Sequence, residues 1–300
     1  MIDDMRVALT HRSLYQFDRP IWLSPHEIRL RPPADFGGAL DYDLQIYPSD
    51  CAVYWYQDAV GNRVARVSFP ERSQKLELVV RLRTTLIPVN PFHFLIEGYA
   101  ERFPFTYADA LREDLKPYLR IEPCGPLTQA LLADIFANCS PPRPTINVLV
   151  DMNRMLYERI AYCERREHGV QTPEQTLQLN SGSCRDSAWL FIQLLRHLGL
   201  AARFVSGYQI QLNGAHSQQS AELHAWVEVY LPGAGWIGFD PTLGLLSAEN
   251  YIPVAVASTV SSAAPVIGRT EQCVCTVSYD IQIERLSPRA AQPVSQLHDE

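Results

Sequence analysis

The 300-residue chain has little of what marks nucleic-acid-binding or membrane-spanning proteins. Its formal net charge is −7, whereas a nucleic-acid partner requires a basic surface. No apolar run approaches the ~20 residues that a membrane-spanning helix needs. The first four residues lack the basic-then-apolar pattern of a secretory signal. These absences predict a protein that binds neither nucleic acid nor membrane, and they leave its oligomeric state open.

Cysteine is sparse, and the spacing of the cysteines does not match a disulfide framework. The chain has seven, an odd number: Cys51, Cys124, Cys139, Cys163, Cys184, Cys273 and Cys275. Scattered thiols of this kind are typical of a reducing compartment, so we expect a cytoplasmic protein. Cys273 and Cys275 lie two apart on a predicted strand, which is not a zinc-ligand spacing, and no other ligand cluster appears. The sequence therefore predicts neither a metal site nor a cofactor.

What the chain does have is an ordinary globular composition, with 47% apolar and 20% charged residues. The first ninety residues read as strands. Between Lys75 and Arg83, four apolar residues alternate with polar ones, which is typical of a half-buried antiparallel strand. Gly61-Asn62 predicts a hairpin turn. We expect a β-rich, sandwich-like module over residues 1–100.

The pattern changes after the first hundred residues. Three segments with helical periodicity cover residues 107–116, 126–138 and 145–164. A fourth predicted helix runs from Cys184 to Leu198 and is stopped by Gly199. Predicted strands follow at residues 203–212, 222–231, 236–240 and 273–286. The expected fold class is α+β: a second domain over residues 101–290 packs a helix on an antiparallel sheet, and residues 291–300 form a loose tail.

Cys184 is the first candidate functional residue, because it begins a predicted helix. Free N–H groups and a partial positive charge at a helix N-terminus favour a thiolate, which is the reactive form of cysteine. Gly182 permits a close approach of backbone, and of substrate, just before it. A cysteine taken alone is more often a small buried hydrophobe, at odds of roughly nine to one.

His224 and Asp240 can complete the site. His224 shares one face of its strand with Trp226, while Ala225, Val227 and alternate residues beyond form the core face. Asp240 ends the next strand, so a hairpin would bring it to the imidazole, where it could fix the tautomer. Each residue alone is more often structural, a satisfied histidine or a turn aspartate. Together the three side chains point to thiol-based catalysis.

Four segments resemble the bacterial transglutaminase-like family. They are Ser181-Gly182-Ser183-Cys184-Arg185-Asp186, the stretch from Leu198 to Tyr208, His224-Ala225-Trp226-Val227-Glu228-Val229-Tyr230, and the stretch from Gly235 to Thr242. Residues 15–20, 23–26, 29–32 and 90–92 are similar to the β-rich region that precedes this domain in bacterial members. Ser181, Ser183 and Ser187 depart from common family residues, which concerns the shape of the pocket rather than the chemistry.

The resemblance implies a papain-like core with Cys184, His224 and Asp240 as a catalytic triad. It implies acyl transfer from an amide of a peptide or protein through a thioester. Hydrolysis as a peptidase or amidase is the main expectation, and transfer to an amine acceptor, as in a transglutaminase, is the second. Trp226, Tyr208 and Gly182 are the candidates for the substrate pocket and oxyanion site. The alternative is a non-catalytic peptide-binding or assembly module on the same fold.

Overall fold

The computed structural model describes residues 5–33, 36, 40–165, 167, 169–211 and 219–286. The strands are β1 (Met5–Ile21), β2 (His26–Arg31), β3 (Leu40–Tyr47), β4 (Ala52–Gln57), β5 (Arg63–Ser68), β6 (Ser73–Leu86), β7 (Arg102–Phe103), β8 (Arg143–Pro144), β9 (Ala161–Tyr162), β10 (Ser181–Gly182), β11 (Ala202–Gln211), β12 (Ser220–Leu231), β13 (Gly235–Asp240), β14 (Leu245–Leu246), β15 (Tyr251–Ala257), β16 (Val266–Ile267) and β17 (Cys275–Arg285). The helices are α1 (Asp109–Asp114), α2 (Pro126–Asn138), α3 (Thr145–Arg159), α4 (Pro173–Leu179) and α5 (Cys184–His197).

The N-terminal module is a β-sandwich. Its two four-stranded sheets have the orders β17-β1-β6-β3 and β16-β2-β5-β4. The predicted alternation in β6 is confirmed, because Leu76, Leu78, Val80 and Leu82 are all buried in one apolar core with residues of β2 and β5. The predicted hairpin is also present: β4 and β5 pair antiparallel, and Gly61 adopts the positive φ of 95° that the turn requires.

The last strand departs from the predicted domain boundary. The sequence predicts that β17 closes the second domain, but β17 pairs antiparallel with β1, from Val7 opposite Arg285 to Phe17 opposite Cys275. β16 likewise pairs with β2. The chain thus returns to the N-terminal sandwich, because β1 leaves an edge whose backbone groups need a partner. The predicted loose tail, residues 291–300, lies outside the described residues.

The second domain has the predicted α+β construction. Its antiparallel sheet has the order β14-β13-β12-β11-β15. The predicted core face of β12, from Ala225 to Leu231, packs in one cluster with the apolar residues of α5. α5 is buried from Asp186 to Arg196, since α2, α3 and α4 cover the side that faces away from the sheet. A helix buried all round and held on several sides gives a rigid support for its own first turn.

Helix α3 is shorter than its apolar stripe predicts. The stripe runs on to Cys163, but the helix ends at Arg159 and the backbone becomes extended at Ile160. Residues 161 and 162 form β9, which pairs in parallel with β10, and the Cys163 N–H donates to the Gly182 carbonyl at 2.9 Å. The strand pairing satisfies backbone groups that a further helical turn would otherwise use. It also places Tyr162 beside the segment that leads into α5.

Two further features concern the helices and the thiols. Among the described residues, no helix is both long enough and apolar enough to cross a bilayer. Each of the seven cysteines is a free thiol.

Candidate functional site

Cys184 is the first residue of α5, as the sequence predicts. Ser183 precedes it as the N-cap, and a capping box links Ser183 with Asp186 in the first turn. The Ser183 backbone N–H and hydroxyl both donate to Asp186 Oδ2, at 2.8 and 2.7 Å. Because the turn on each side of Cys184 is fixed by these bonds, the thiol projects from a preorganised backbone. The first N–H groups of the helix have no partner within it.

Asp186 also ties the helix start to the preceding loop. Its side chain is completely buried, and Oδ1 accepts hydrogen bonds from Arg165 Nη1 at 2.6 Å and from the Gln171 N–H at 2.7 Å. Burial opposes its charge, but these bonds and those from Ser183 more than offset burial and lower the pKa of the carboxyl. Asp186 is therefore a buried anion that holds the loop and the helix together.

Gly182 lies one residue before the N-cap and is buried in β10. A Cβ built on it would lie 2.8 Å from the Asp186 Cβ, which is closer than real side chains approach. Glycine is thus required so that β10 can pack on the first turn of α5. The atoms nearest to the missing Gly182 side chain belong to the side chains of Asp186, Gln171 and Thr176.

The structure brings His224 and Asp240 together as the predicted hairpin requires. β12 and β13 pair antiparallel, with Val227 opposite Phe239. The His224 Nε2–H donates to Asp240 Oδ2 at 2.7 Å, and both side chains are almost completely buried. This bond keeps a proton on Nε2, so Nδ1 is the nitrogen that can exchange a proton with a neighbouring group.

Asp240 is held by more than the histidine. Its Oδ1 accepts the Thr242 N–H at 2.8 Å and the Thr242 hydroxyl at 2.6 Å, while Oδ2 also accepts the Tyr251 hydroxyl at 2.7 Å. Asp240 therefore bonds the residues of its own turn, as a structural aspartate would, and it also binds His224. Four donors hold one carboxylate in a single orientation toward the ring.

The other ring nitrogen of His224 faces Cys184. The two side chains interact, although the sulfur is not placed for a fully formed hydrogen bond to the buried Nδ1. Such bonds are commonly loose before substrate binds. The Glu222 Oε1 atom lies 3.9 Å from Nδ1. The Cys184 thiol thus interacts with a ring whose other nitrogen is bound to Asp240.

The electrostatics favour a charged imidazole. Burial opposes the charge on His224, but its interactions with Asp240 and Cys184 outweigh burial and raise its pKa to about 10. Burial likewise opposes the charge on Asp240, and the bonds from His224, Thr242 and Tyr251 lower the pKa of that carboxyl. The two shifts describe one coupled pair in which an anion and a cation stabilise each other.

The two aromatic pocket candidates are both buried. Trp226 is 1% exposed and packs edge-to-face on Tyr251, at 5.2 Å between ring centroids, so it supports the tyrosine that holds Asp240. Tyr208 is fully buried in the apolar core of the N-terminal sandwich, where its hydroxyl hydrogen-bonds His11 Nδ1 at 2.9 Å. Because neither ring reaches the surface, neither forms an open pocket wall beside Cys184. The structure does not bring Tyr208 to this site.

Several residues at the site have roles that sequence reasoning missed. Ser183 and Asp186 carry a readable signal, since a serine followed by an acidic residue three positions later predicts a capping box. Tyr251 and Tyr162 carry none, because they arrive on strands whose pairing the local sequence does not reveal. Within the described part of the chain, no group of three or more His, Cys, Asp or Glu side chains is arranged to hold a metal ion.

Two family models match the chain. The model described as "Transglutaminase-like superfamily" covers residues 129–241, and the "Bacterial transglutaminase-like N-terminal region" covers residues 7–85. The first match contains Cys184, His224 and Asp240. The second covers most of the sandwich.

Individual relatives support the same assignment. The uncharacterized protein ML0607 of Mycobacterium leprae is 35% identical over 272 residues, which cover 88% of this chain and 92% of that one. Three other mycobacterial relatives are 30% identical over 152 residues, and the match spans only 48% of their length. The protein-glutamine gamma-glutamyltransferase of Pseudomonas aeruginosa is 41% identical over 66 residues, or 21% of this chain and 10% of that one.

A solved structure shares the fold over nearly the whole chain. It is a Cytophaga hutchinsonii protein described as a candidate cysteine protease, with a TM-score of 0.72 and 18% identity. The superposition covers 96% of this chain and 92% of that one. Together, the family models and the full-length relative show that the chain belongs to the transglutaminase-like superfamily, with the bacterial N-terminal region in front of its core.

Proposed function

We propose that the protein catalyses thiol-dependent acyl transfer from amide bonds of peptides or proteins. In this proposal Cys184 is the nucleophile, His224 is the general base and acid, and Asp240 orients the imidazole. One observation carries the proposal. The buried His224 ring is bound to Asp240 through Nε2 at 2.7 Å, which leaves Nδ1 for Cys184.

The reaction follows from that arrangement. In the resting site Nδ1 already holds the proton taken from the thiol, and the thiolate sulfur attacks the carbonyl carbon of the amide. Backbone N–H groups at the start of α5, including that of Cys184, are positioned to stabilise the negative charge on the carbonyl oxygen. The Nδ1–H then protonates the leaving nitrogen, the C–N bond breaks, and a thioester on Cys184 remains. Asp240 keeps the ring oriented and its positive charge stabilised throughout.

The thioester can be resolved by water or by an amine. We infer that hydrolysis is the main outcome and that amine transfer is the second, which the similarity to a gamma-glutamyltransferase favours. Gly182 contributes because it has no side chain, so that β10 packs against the first turn of α5, where the nucleophile lies. The seven free thiols support the cytoplasmic location expected from the sequence.

The test is to trap the thioester. We expect wild-type protein to gain one acyl group on Cys184 when it is incubated with an activated acyl ester, as read by mass spectrometry of its peptides. Cys184→Ala should lose the label and at least about 10³-fold of amidase activity, while its circular dichroism and melting curve stay unchanged. Cys163→Ala is the matched control and should keep both label and activity. Label on other cysteines alone, or full activity of Cys184→Ala, would refute the role of Cys184. Neither label nor activity in the wild-type protein would support the non-catalytic binding module instead.

A further inference from the structure

A half-exposed carboxylate lies at the opening of the site. Glu222 comes two residues before His224 on β12, and residues two apart on a strand share a face. Its Oε1 lies 3.9 Å from His224 Nδ1. The Glu222 side chain is 50% exposed, whereas that of His224 is 4% exposed. Glu222 therefore places a negative charge where solvent meets the buried imidazole.

Nδ1 is the atom through which protons enter and leave in the proposed reaction. It is buried and has no hydrogen-bond partner among the described residues, while Nε2 is committed to Asp240. In that reaction Nδ1–H protonates the departing nitrogen, and Nδ1 later deprotonates the incoming nucleophile. The departing nitrogen and the incoming nucleophile must therefore both come close to Nδ1. A carboxylate beside Nδ1 lies near these two groups and away from the acyl group.

The neighbouring cations are already occupied. Arg165 bonds Asp186 at 2.6 Å, and Arg185 donates to the Arg165 carbonyl at 3.0 Å. In the part of the chain that the structure describes, His224 is the one basic group within ion-pair distance of Glu222. The Glu222 carboxylate therefore remains available to a positive charge on a ligand.

Negative charges also surround the hydroxyl of Tyr162. Its ring is largely exposed next to Gly182. Partial burial, and then the nearby negative charges of Cys184, Glu222 and Glu164, raise the pKa of its hydroxyl to about 12. Cys184, Glu222 and Tyr162 thus share one small region, in which a ligand cation is favoured and a ligand anion is repelled.

We propose that Glu222 makes the site selective for a positively charged group on the leaving or accepting side of the reacting carbonyl. The inference rests on the proposed acyl-transfer function. The charge has two sources: a Lys or Arg side chain that follows the cleaved amide, or a second ammonium group on an amine acceptor. In both cases the ligand cation pairs with the Glu222 carboxylate while the reacting nitrogen lies at Nδ1.

The first arm of the test, the acceptor arm, compares amine acceptors. It measures the effect of Glu222 on a ligand charge without any peptide being bound. p-Nitrophenyl acetate acylates Cys184 and releases p-nitrophenol. An amine, arriving as an ammonium ion, gives one proton to Nδ1 and attacks the thioester carbon. The C–S bond breaks, Cys184 leaves as a thiolate, and the second proton goes to water. The measurement is the ratio of acetamide to acetate formed with 1,5-diaminopentane, with 2-methoxyethylamine and with 5-aminopentanoate.

Wild-type protein should prefer 1,5-diaminopentane over 5-aminopentanoate by about tenfold at low salt, and less at high salt. Glu222→Gln should remove that preference, Glu222→Lys should reverse it, and Glu222→Asp should retain part of it. Glu284→Gln, which removes an exposed strand glutamate from β17, is the control and should behave as wild type. Melting curves confirm that the variants fold.

The second arm of the test, the peptide arm, shows whether the positive charge belongs to the leaving segment of a peptide or to the amine acceptor. A randomised peptide library is digested, and mass spectrometry identifies the residue that follows each cleaved bond. Enrichment of Lys and Arg there, lost in Glu222→Gln, assigns the cation to the leaving segment. Preference among the amines without that enrichment assigns it to the acceptor. If acetyl-enzyme forms but both arms are insensitive to charge, the role of Glu222 is refuted. If no acetyl-enzyme forms, the proposed function fails and this inference fails with it.

Discussion

The two regions of the molecule each bury a histidine on a strand, with opposite electrostatic results. In the N-terminal sandwich, His11 is 2% exposed, and in the second domain His224 is 6% exposed. Burial lowers the pKa of His11 to about 4 even though the charge of Asp280 opposes that shift. The pKa of His224 rises to about 10 in spite of burial.

The difference lies in the partners. His11 is bonded to two neutral hydroxyls, Tyr208 at 2.9 Å and Ser13 at 2.8 Å. Hydroxyls satisfy the ring nitrogens but give little compensation for a buried positive charge. His224 contacts the Asp240 carboxylate and the Cys184 sulfur, which can both carry negative charge. Burial alone therefore does not distinguish the two histidines, whereas the groups bound to each ring do.

The largest effect expected from this comparison is on activity. His224→Gln should lower kcat/KM by about 10²–10⁴-fold, because the proton transfer at Nδ1 is lost. His11→Gln, in an equally buried position, should leave kcat/KM within about twofold, since its cost falls on stability. Steady-state amidase assays on both purified variants check this contrast. Equal losses in the two variants would mean that the imidazole at position 224 has no special role.

The next effect concerns the charge that distinguishes the two sites. Asp240→Asn keeps the size of the side chain but removes the anion that helps to raise the pKa of His224. We expect that pKa to fall toward its ordinary value and kcat/KM to fall by about 10²-fold. NMR titration of His224 in the Cys184→Ala background, with and without Asp240→Asn, measures the shift. An unchanged titration would show that Asp240 does not control the imidazole.

The next prediction concerns how the free energy of unfolding depends on pH, where the lowered pKa of His11 should have an effect opposite to that of His224. Its folded-state pKa of about 4 lies below the unfolded value of 6.5, so the unfolded chain binds the extra proton. Its contribution is complete above pH 6.5 and is lost as the pH falls toward 4. The free energy of unfolding should drop by about 3 kcal/mol from this group alone. Urea unfolding of wild type and His11→Gln at several pH values isolates that difference.

His224 behaves the other way. Its pKa is raised in the folded state, so its contribution is complete below pH 6.5 and is lost as the pH rises through about 10. A wild-type profile that loses stability at both ends, with only the acid limb sensitive to His11→Gln, would agree with the comparison. An acid limb unaffected by that variant would contradict it.

Much of the site could be predicted because its signals are local. The alternation along β12, the hairpin to β13 and the helix start at Cys184 depend on neighbouring residues, and the geometry of these elements agrees with the pattern. Long-range pairings carry no such signal. Nothing near residue 275 indicates that β17 pairs with β1, more than 250 positions earlier in the chain.

Tyr208 shows a second limit. Phe204 and Tyr208 have the same parity on β11, which predicts that they share a face. Phe204 packs against α5, yet Tyr208 packs in the sandwich core, because the β11–β15 register shifts between Ser206 and Gly207 and the strand extends from one core into the other. Periodicity predicts which residues share a face, but not which neighbour covers each end of a strand.

The smallest expected effect comes from removing one tyrosine hydroxyl in each of the two regions. Tyr208→Phe removes the partner of His11 Nδ1 and should cost about 1–2 kcal/mol of stability with unchanged kcat/KM. Tyr251→Phe makes the same chemical change but removes a donor to Asp240, so it should lower kcat/KM by about three- to tenfold. Thermal melts and amidase assays on the two variants separate the outcomes. If Tyr208→Phe reduced activity as much as Tyr251→Phe, the sandwich core would be coupled to the chemistry. Otherwise the hydroxyl in the sandwich serves stability, and the hydroxyl on Asp240 serves the reaction.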